Sequence, residues 1–196
     1  MAEEAYKNAL QIREHLVASD PGNPTYKANL AQSYHNLGLL RKNDNRPNDA
    51  EAAYRKSLEI RKSLVKSNPG NLTYENDLAW SFNNLGITYR TLSQPKESEE
   101  SHRSALAIRE SLVKSMPDNG TYQINLAWSH NNLGFLFSAL NRIKEAEENY
   151  NKAIEITESL VKVFPLEKTY QNNLVTFKKN LVELQIKANP KKGDSR

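Results

Sequence analysis

The chain of 196 residues contains no cysteine. Disulfides, thiol catalysis and cysteine-ligated metals are therefore excluded. No apolar run approaches the ~20 residues that a membrane span needs, and Met1-Ala2-Glu3-Glu4 does not open a signal peptide. The default expectation is a cytoplasmic, bacterial protein with no membrane partner. Charge of one sign is scarce as well: 27 Lys and Arg face 23 Asp and Glu, for a net charge of +4. The signs are interspersed, as where Glu97, Glu99 and Glu100 lie beside Lys96 and Arg103. That pattern is a solvated helix surface and argues against a nucleic-acid partner.

Catalytic constellations are missing too. Neither a glycine-rich phosphate loop nor a Gly-x-Ser-x-Gly elbow occurs. His15, His35, His102 and His130 have no metal-type spacing to one another or to carboxylates. The expectation is a non-enzyme without metal or cofactor. No segment sustains a period-2 pattern, so strands are not expected.

What the sequence does have is a long period. Tyr26, Tyr74, Tyr122 and Tyr170 recur at intervals of 48 residues, as do Pro21, Pro69, Pro117 and Pro165, and Asn36, Asn84, Asn132 and Asn180. Such a period means stacked units that bury their apolar faces only against their neighbours. It shifts the functional expectation from catalysis towards binding, since stacked repeats offer long surfaces rather than convergent pockets.

Each unit reads as two helices. Leu78, Phe82, Leu85 and Tyr89 follow i, i+4, i+7, i+11, which is one helical face. Pro95 suits the first turn of a second helix, where its missing N–H costs nothing. That helix carries Leu106, Ile108, Leu112 and Val113 and ends at the breaker cluster Ser115 to Gly120. Gly38, Gly86 and Gly134 fall inside first helices, where glycine costs up to ~1 kcal/mol relative to alanine. Their recurrence implies close approach of the paired helix, with Ala50, Ser98 and Ala146 as the expected apposed residues. Asn71-Leu72-Thr73 and Asn119-Gly120-Thr121 match the glycosylation acceptor pattern, but both fall at the same inter-helix turn and read as by-products of the repeat.

Asn-Leu-Gly, a small residue 12 positions after the glycine, then Tyr54, His102 or Tyr150, then Leu58, Leu106 or Ile154 resembles the tetratricopeptide repeat. That family's unit is shorter by 14 residues, and the extra length fits two further turns on each helix. The long-helix form and the Asn-Asn-Leu-Gly segment are similar to kinesin-light-chain-type repeats. The resemblance implies an all-α, right-handed superhelical solenoid of antiparallel helix pairs with eight helices, spanning residues 1–187. The expected segments are a second-type helix at 2–18, pairs at 24–67, 73–115 and 121–163, a capping helix at 168–187, and a disordered tail at 188–196. Val182 stands at the repeat's glycine position, which marks the last helix as a cap. Ala2, Tyr6, Ala9 and Leu10 match Ala50, Tyr54, Ser57 and Leu58, so the first helix is expected to lack its partner.

By the same resemblance, first helices line a concave groove. The stripe facing it would hold Gln32, Asn36, Leu39 and Asn43, then Trp80, Asn84, Ile87 and Thr91, then Trp128, Asn132, Phe135 and Ala139. Asparagine is a poor helix former, so its recurrence here needs a reason. Its amide could hold the backbone of an extended peptide, or it could bond the neighbouring repeat and fix the stacking. Trp80 and Trp128 could anchor a ligand side chain or pack between first helices. Lys42 and Arg90, near helix ends, could attract an acidic peptide or be solvated. The leading expectation is a peptide- or protein-binding scaffold. The alternative is a self-assembling structural protein, a weak homodimer formed through Tyr6 and Leu10 on an open first helix.

Overall fold

A computed structural model describes residues 2–189, apart from the side chains of residues 2, 3 and 5. Eight helices and no strand occur among them: α1 (Ala2–Ser19), α2 (Pro24–Asn43), α3 (Pro47–Ser67), α4 (Leu72–Thr91), α5 (Pro95–Ser115), α6 (Gly120–Ala139), α7 (Ile143–Val163) and α8 (Lys168–Ala188). The fold is all-α and built of helix pairs. Of the expected tail, 188 is still helical and 190–196 lie outside the described residues.

The boundaries follow from local chemistry that repeats with the sequence. Each even-numbered helix starts behind a side chain that accepts from its orphan N–H groups. Asn23 Oδ1 accepts from Thr25 and Tyr26, Asn71 Oδ1 from Thr73 and Tyr74, and Asn119 Oδ1 from Tyr122, all at 3.0–3.2 Å. Glu167 does the same for Thr169. The acceptor-like triplets at Asn71 and Asn119 therefore encode helix caps. The first helices end in a left-handed residue, Asn45, Ser93 or Asn141, with φ of 56°, 58° and 60°. The next N–H then returns to a carbonyl five residues back, as from Arg46 to Arg41 (2.9 Å), Gln94 to Tyr89 and Arg142 to Phe137 (both 2.8 Å). This wrap closes the helix and turns the chain in three residues.

Within a pair the helices run antiparallel. On α2 and α3, Ala31 O accepts from Ser57 Oγ at 2.8 Å, Gly38 meets Tyr54, and Arg41 lies 3.7 Å from Asp49. Besides the expected small residues, the glycines meet a second partner. Ala50, Ser98 and Ala146 are buried, and Ser98 Oγ donates to Gly86 O at 2.8 Å. The space is taken, however, by the ring 16 residues on. A Cβ at Gly38 would lie 2.5 Å from Tyr54 Cε1, one at Gly86 2.7 Å from the His102 ring, and one at Gly134 2.7 Å from Tyr150 Cδ1. His102, buried, is a packed substitute for tyrosine.

The contacts group into two compact units, Met1–Ala105 and Leu106–Arg196. In the first, Leu10, Leu30 and Tyr34 form one core, while Ala50, Tyr54, Leu85 and Tyr89 form another. In the second, Ile124, Ala127, Ala153, Leu160 and Phe177 cluster, as do Leu133, Phe137, Ala146, Tyr150 and Leu184.

Candidate protein-binding surface

Neighbouring first helices are joined by a buried guanidinium that the sequence reading missed. Arg61 reaches from α3 to α4, where Nη1 donates to Asp77 O (3.0 Å) and Ser81 Oγ (2.9 Å). Its Nη2 donates back to Gln32 Oε1 on α2 at 3.0 Å. In the second unit, Arg109 Nη1 donates to Asn125 O (2.9 Å) and Ser129 Oγ (2.8 Å). Arg13 on α1 makes the same two contacts, to Asn29 O (3.3 Å) and Ser33 Oγ. The signal was present: Arg13, Arg61 and Arg109, and Ser33, Ser81 and Ser129, recur at the repeat interval. Burial lowers the pKa of both guanidiniums, that of Arg109 to about 10.

The asparagine stripe is partly consumed by the same joints. Asn84 is only 9% exposed, and its Nδ2 lies 3.5 Å from His35 Nδ1 on α2. In the second unit Asn180 Nδ2 donates to Asn131 Oδ1 at 2.8 Å. These amides bond a neighbouring repeat, the stacking alternative. Asn36, half-buried, accepts from Gln32 Nε2 at 2.9 Å, and Asn132 is half-buried. His35, tilted against the Tyr54 ring, is pushed down to about 4 by burial, helped by the Arg61 charge.

The apolar members divide. Trp128 is half-buried and meets Phe177 edge-on, with ring centroids 4.8 Å apart, so it packs between α6 and α8. Trp80 is 36% exposed on α4 and Phe135 is 45% exposed on α6. Leu39 and Ile87 are half-buried, as are Lys42 and Arg90 near the ends of α2 and α4. Beside Phe135, a cavity of about 250 Å³ opens between α6 and α8, lined further by Tyr150, Asn180, Glu183 and Lys187. It combines apolar walls with an amide and two opposite charges, a lining suited to a peptide segment.

Leu10 is not on the open face of α1. It is 7% exposed and packs on Leu30 and Tyr34 of α2, because it lies about 200° around α1 from the exposed Ile12. Tyr6 is half-buried. Among the described residues no group of three or more His, Asp or Glu could hold a metal, and no helix is long and apolar enough to cross a membrane.

Profiles of the tetratricopeptide repeat match residues 30–69, 78–119 and 129–160. The chain belongs to the tetratricopeptide-repeat family. The structure of the yeast histone chaperone Hif1, described as a scaffold protein recruiting protein complexes to core histones, is similar, with a TM-score of 0.57 and 11% identity over 93% of this chain and 96% of that one. A thermophilic tetratricopeptide protein of Thermus thermophilus superposes with a TM-score of 0.47 at 19% identity, covering 93% of this chain and 84% of that one. The protein MamA gives 0.45 at 18% identity, covering 95% and 92%. At these identities the likenesses speak to the fold alone. No curated protein sequence matches the chain.

Proposed function

We propose that this tetratricopeptide-repeat chain is a protein-binding scaffold whose first-helix faces receive an extended segment of a partner. The observation that carries this reading is the cavity between α6 and α8, open beside the 45%-exposed ring of Phe135. An exposed aromatic beside a partly apolar cavity favours a buried side-chain anchor. Asn132 lies on the same face, and its amide is of a kind that pairs with peptide backbone, whereas Asn180 is engaged with Asn131. Trp80, Ile87 and Leu39 offer a similar apolar surface in the first unit, with Lys42 and Arg90 favouring acidic residues. Asn84 contributes to stacking in this reading, because its amide is already engaged with His35.

A library of extended peptides displayed on phage and selected against the full chain tests this. Selected peptides should lose at least tenfold in affinity when Phe135 and Asn132 are both changed to Ala, with helicity unchanged. Affinity that ignores both substitutions would sink the first-helix assignment.

A further inference from the structure

α1 carries the register of a second helix, yet its outer face is half open. Tyr6, Ala9, Arg13 and Leu16 stand where α3 has Tyr54, Ser57, Arg61 and Leu64. The α3 residues are all buried, whereas the α1 residues are only half-buried. Ile12, 63% exposed, stands where Ile60 packs into the core. A cavity of about 300 Å³ lies here, lined by Ala9, Ile12, Arg13, Leu16, Tyr26 and Asn29.

The next repeat shows what fills such a surface. There α2 lies on α3, with Ala31 O bonded to Ser57, Gly38 under the Tyr54 ring, and Gln32 Oε1 on Arg61 Nη2. Arg13 reproduces only the Nη1 half of this arrangement, through Asn29 O and Ser33 Oγ. Its Nη2 has no acceptor among the described residues, and Arg13 is one of the residues that line the cavity.

We propose that this face of α1 docks an amphipathic helix of a partner protein. That helix presents a carboxamide or carboxylate oxygen to Arg13 Nη2. It places a small residue against Ala9 and, seven residues later, a glycine against Tyr6, following the Ala31-Gln32 to Gly38 spacing of α2. Apolar residues between them cover Ile12 and Leu16. The α8 of a second copy is unsuited: Val175 and Val182 occupy the positions of Ala31 and Gly38. Even one Cβ at Gly38 would come within 2.9 Å of three Tyr54 ring carbons, and a valine opposite Tyr6 adds two methyls.

The probe is a labelled peptide with the sequence of α2, Pro24–Asn43, titrated with the full chain by fluorescence anisotropy. Saturable binding is expected in the range of tens to hundreds of micromolar, set by the cost of ordering an isolated helix. Gln32→Leu in the peptide and Arg13→Leu in the protein should each weaken it at least fivefold, and together no more than either alone. Gly38→Val in the peptide should abolish it. Ile12→Glu, at a position too exposed to threaten folding, should do the same, whereas Phe135→Ala should leave it unchanged. No binding at 1 mM, or binding indifferent to Ile12→Glu and to Gly38→Val, overturns the proposal. So does a dimer of the chain in sedimentation that Ile12→Glu dissolves, which would make the occupant a second copy.

Discussion

The joint between α2 and α4 in the first unit and the joint between α6 and α8 in the second occupy the same repeat positions with opposite chemistry. The first holds Gln32, Arg61 and Ser81, tied by hydrogen bonds of 2.9–3.0 Å. The second has Trp128, Thr157 and Phe177 at the equivalent places. There Phe177 is buried, its ring meets Trp128 edge-on, and Thr157 Oγ1 turns back to Ala153 O at 2.7 Å. The second and third positions change together, whereas the first does not follow them, since Trp80 stands in the same repeat register as Arg109 and Ser129. A guanidinium needs acceptors on both sides and room for its charge, while an aromatic pair needs neither. One backbone spacing accepts either pair at the second and third positions, but exchanging one member alone would set a phenylalanine against the guanidinium or bury an arginine without its hydroxyl acceptor.

The largest expected effect is on the aromatic joint. Phe177→Ala removes a fully buried ring and should destabilise the second unit by about 3–5 kcal/mol. Since repeat arrays need not unfold in one step, amide hydrogen exchange resolved by unit is the suitable measurement. Protection in α6–α8 should fall far more than in α2–α4, and a uniform loss would show that the joint does not act locally. Arg61→Met should cost the first unit less, about 2 kcal/mol. It removes three hydrogen bonds to a charged group but also relieves a desolvated charge, and the exposed Gln32 can turn to water.

Transplanting the aromatic joint is the sharper test. Arg61→Thr and Ser81→Phe should each destabilise alone, the second by forcing a ring against the guanidinium. Combined with Gln32→Trp, they should recover at least about 1 kcal/mol relative to the sum of the separate effects, as expected for residues in contact. Strict additivity in denaturant unfolding would mean that the three positions are independent.

Much of the fold was legible because it rests on periodic, local signals. The 48-residue interval, the helix breakers and the apolar stripes specify eight helices paired as a tetratricopeptide array. The joints were harder to read. Arg61 and Arg109 look like surface charges in a chain that is 26% charged, and only the structure shows them buried against serine hydroxyls and helix carbonyls. Asn84 was read towards a ligand or towards stacking, and nothing in an amide's identity decides which way it turns. Leu10 and Ile12 are two residues apart on a helix, so about 200° separates them, and a shift of one stripe exchanges core for open face.

The smallest effect concerns protons. His35 and Asn84 in the first unit stand where the second has Asn131 and Asn180. The His35 ring, half-buried near the Arg61 guanidinium, has its pKa lowered from 6.5 to about 4, chiefly by burial. In the unfolded chain it titrates near its ordinary value, so between these two values the unfolded state binds more protons. Stability contributed by the neutral ring is therefore full above 6.5, falls as the pH drops through the interval, and levels off near 4. Allowing for the solvent screening of a half-buried group, this amounts to about 1 kcal/mol. His130, also lowered by burial, lies in the second unit and serves as an internal reference. His35→Asn, which copies the second unit's residue, should flatten the acid sensitivity of α2–α4 while leaving that of α6–α8 unchanged. Exchange measured for parent and variant at matched pH values of about 7, 5.5 and 4.5 gives the comparison. If α2–α4 in the variant loosens as much as in the parent, the titrating group is not His35, and the two joints do not differ in their response to acid.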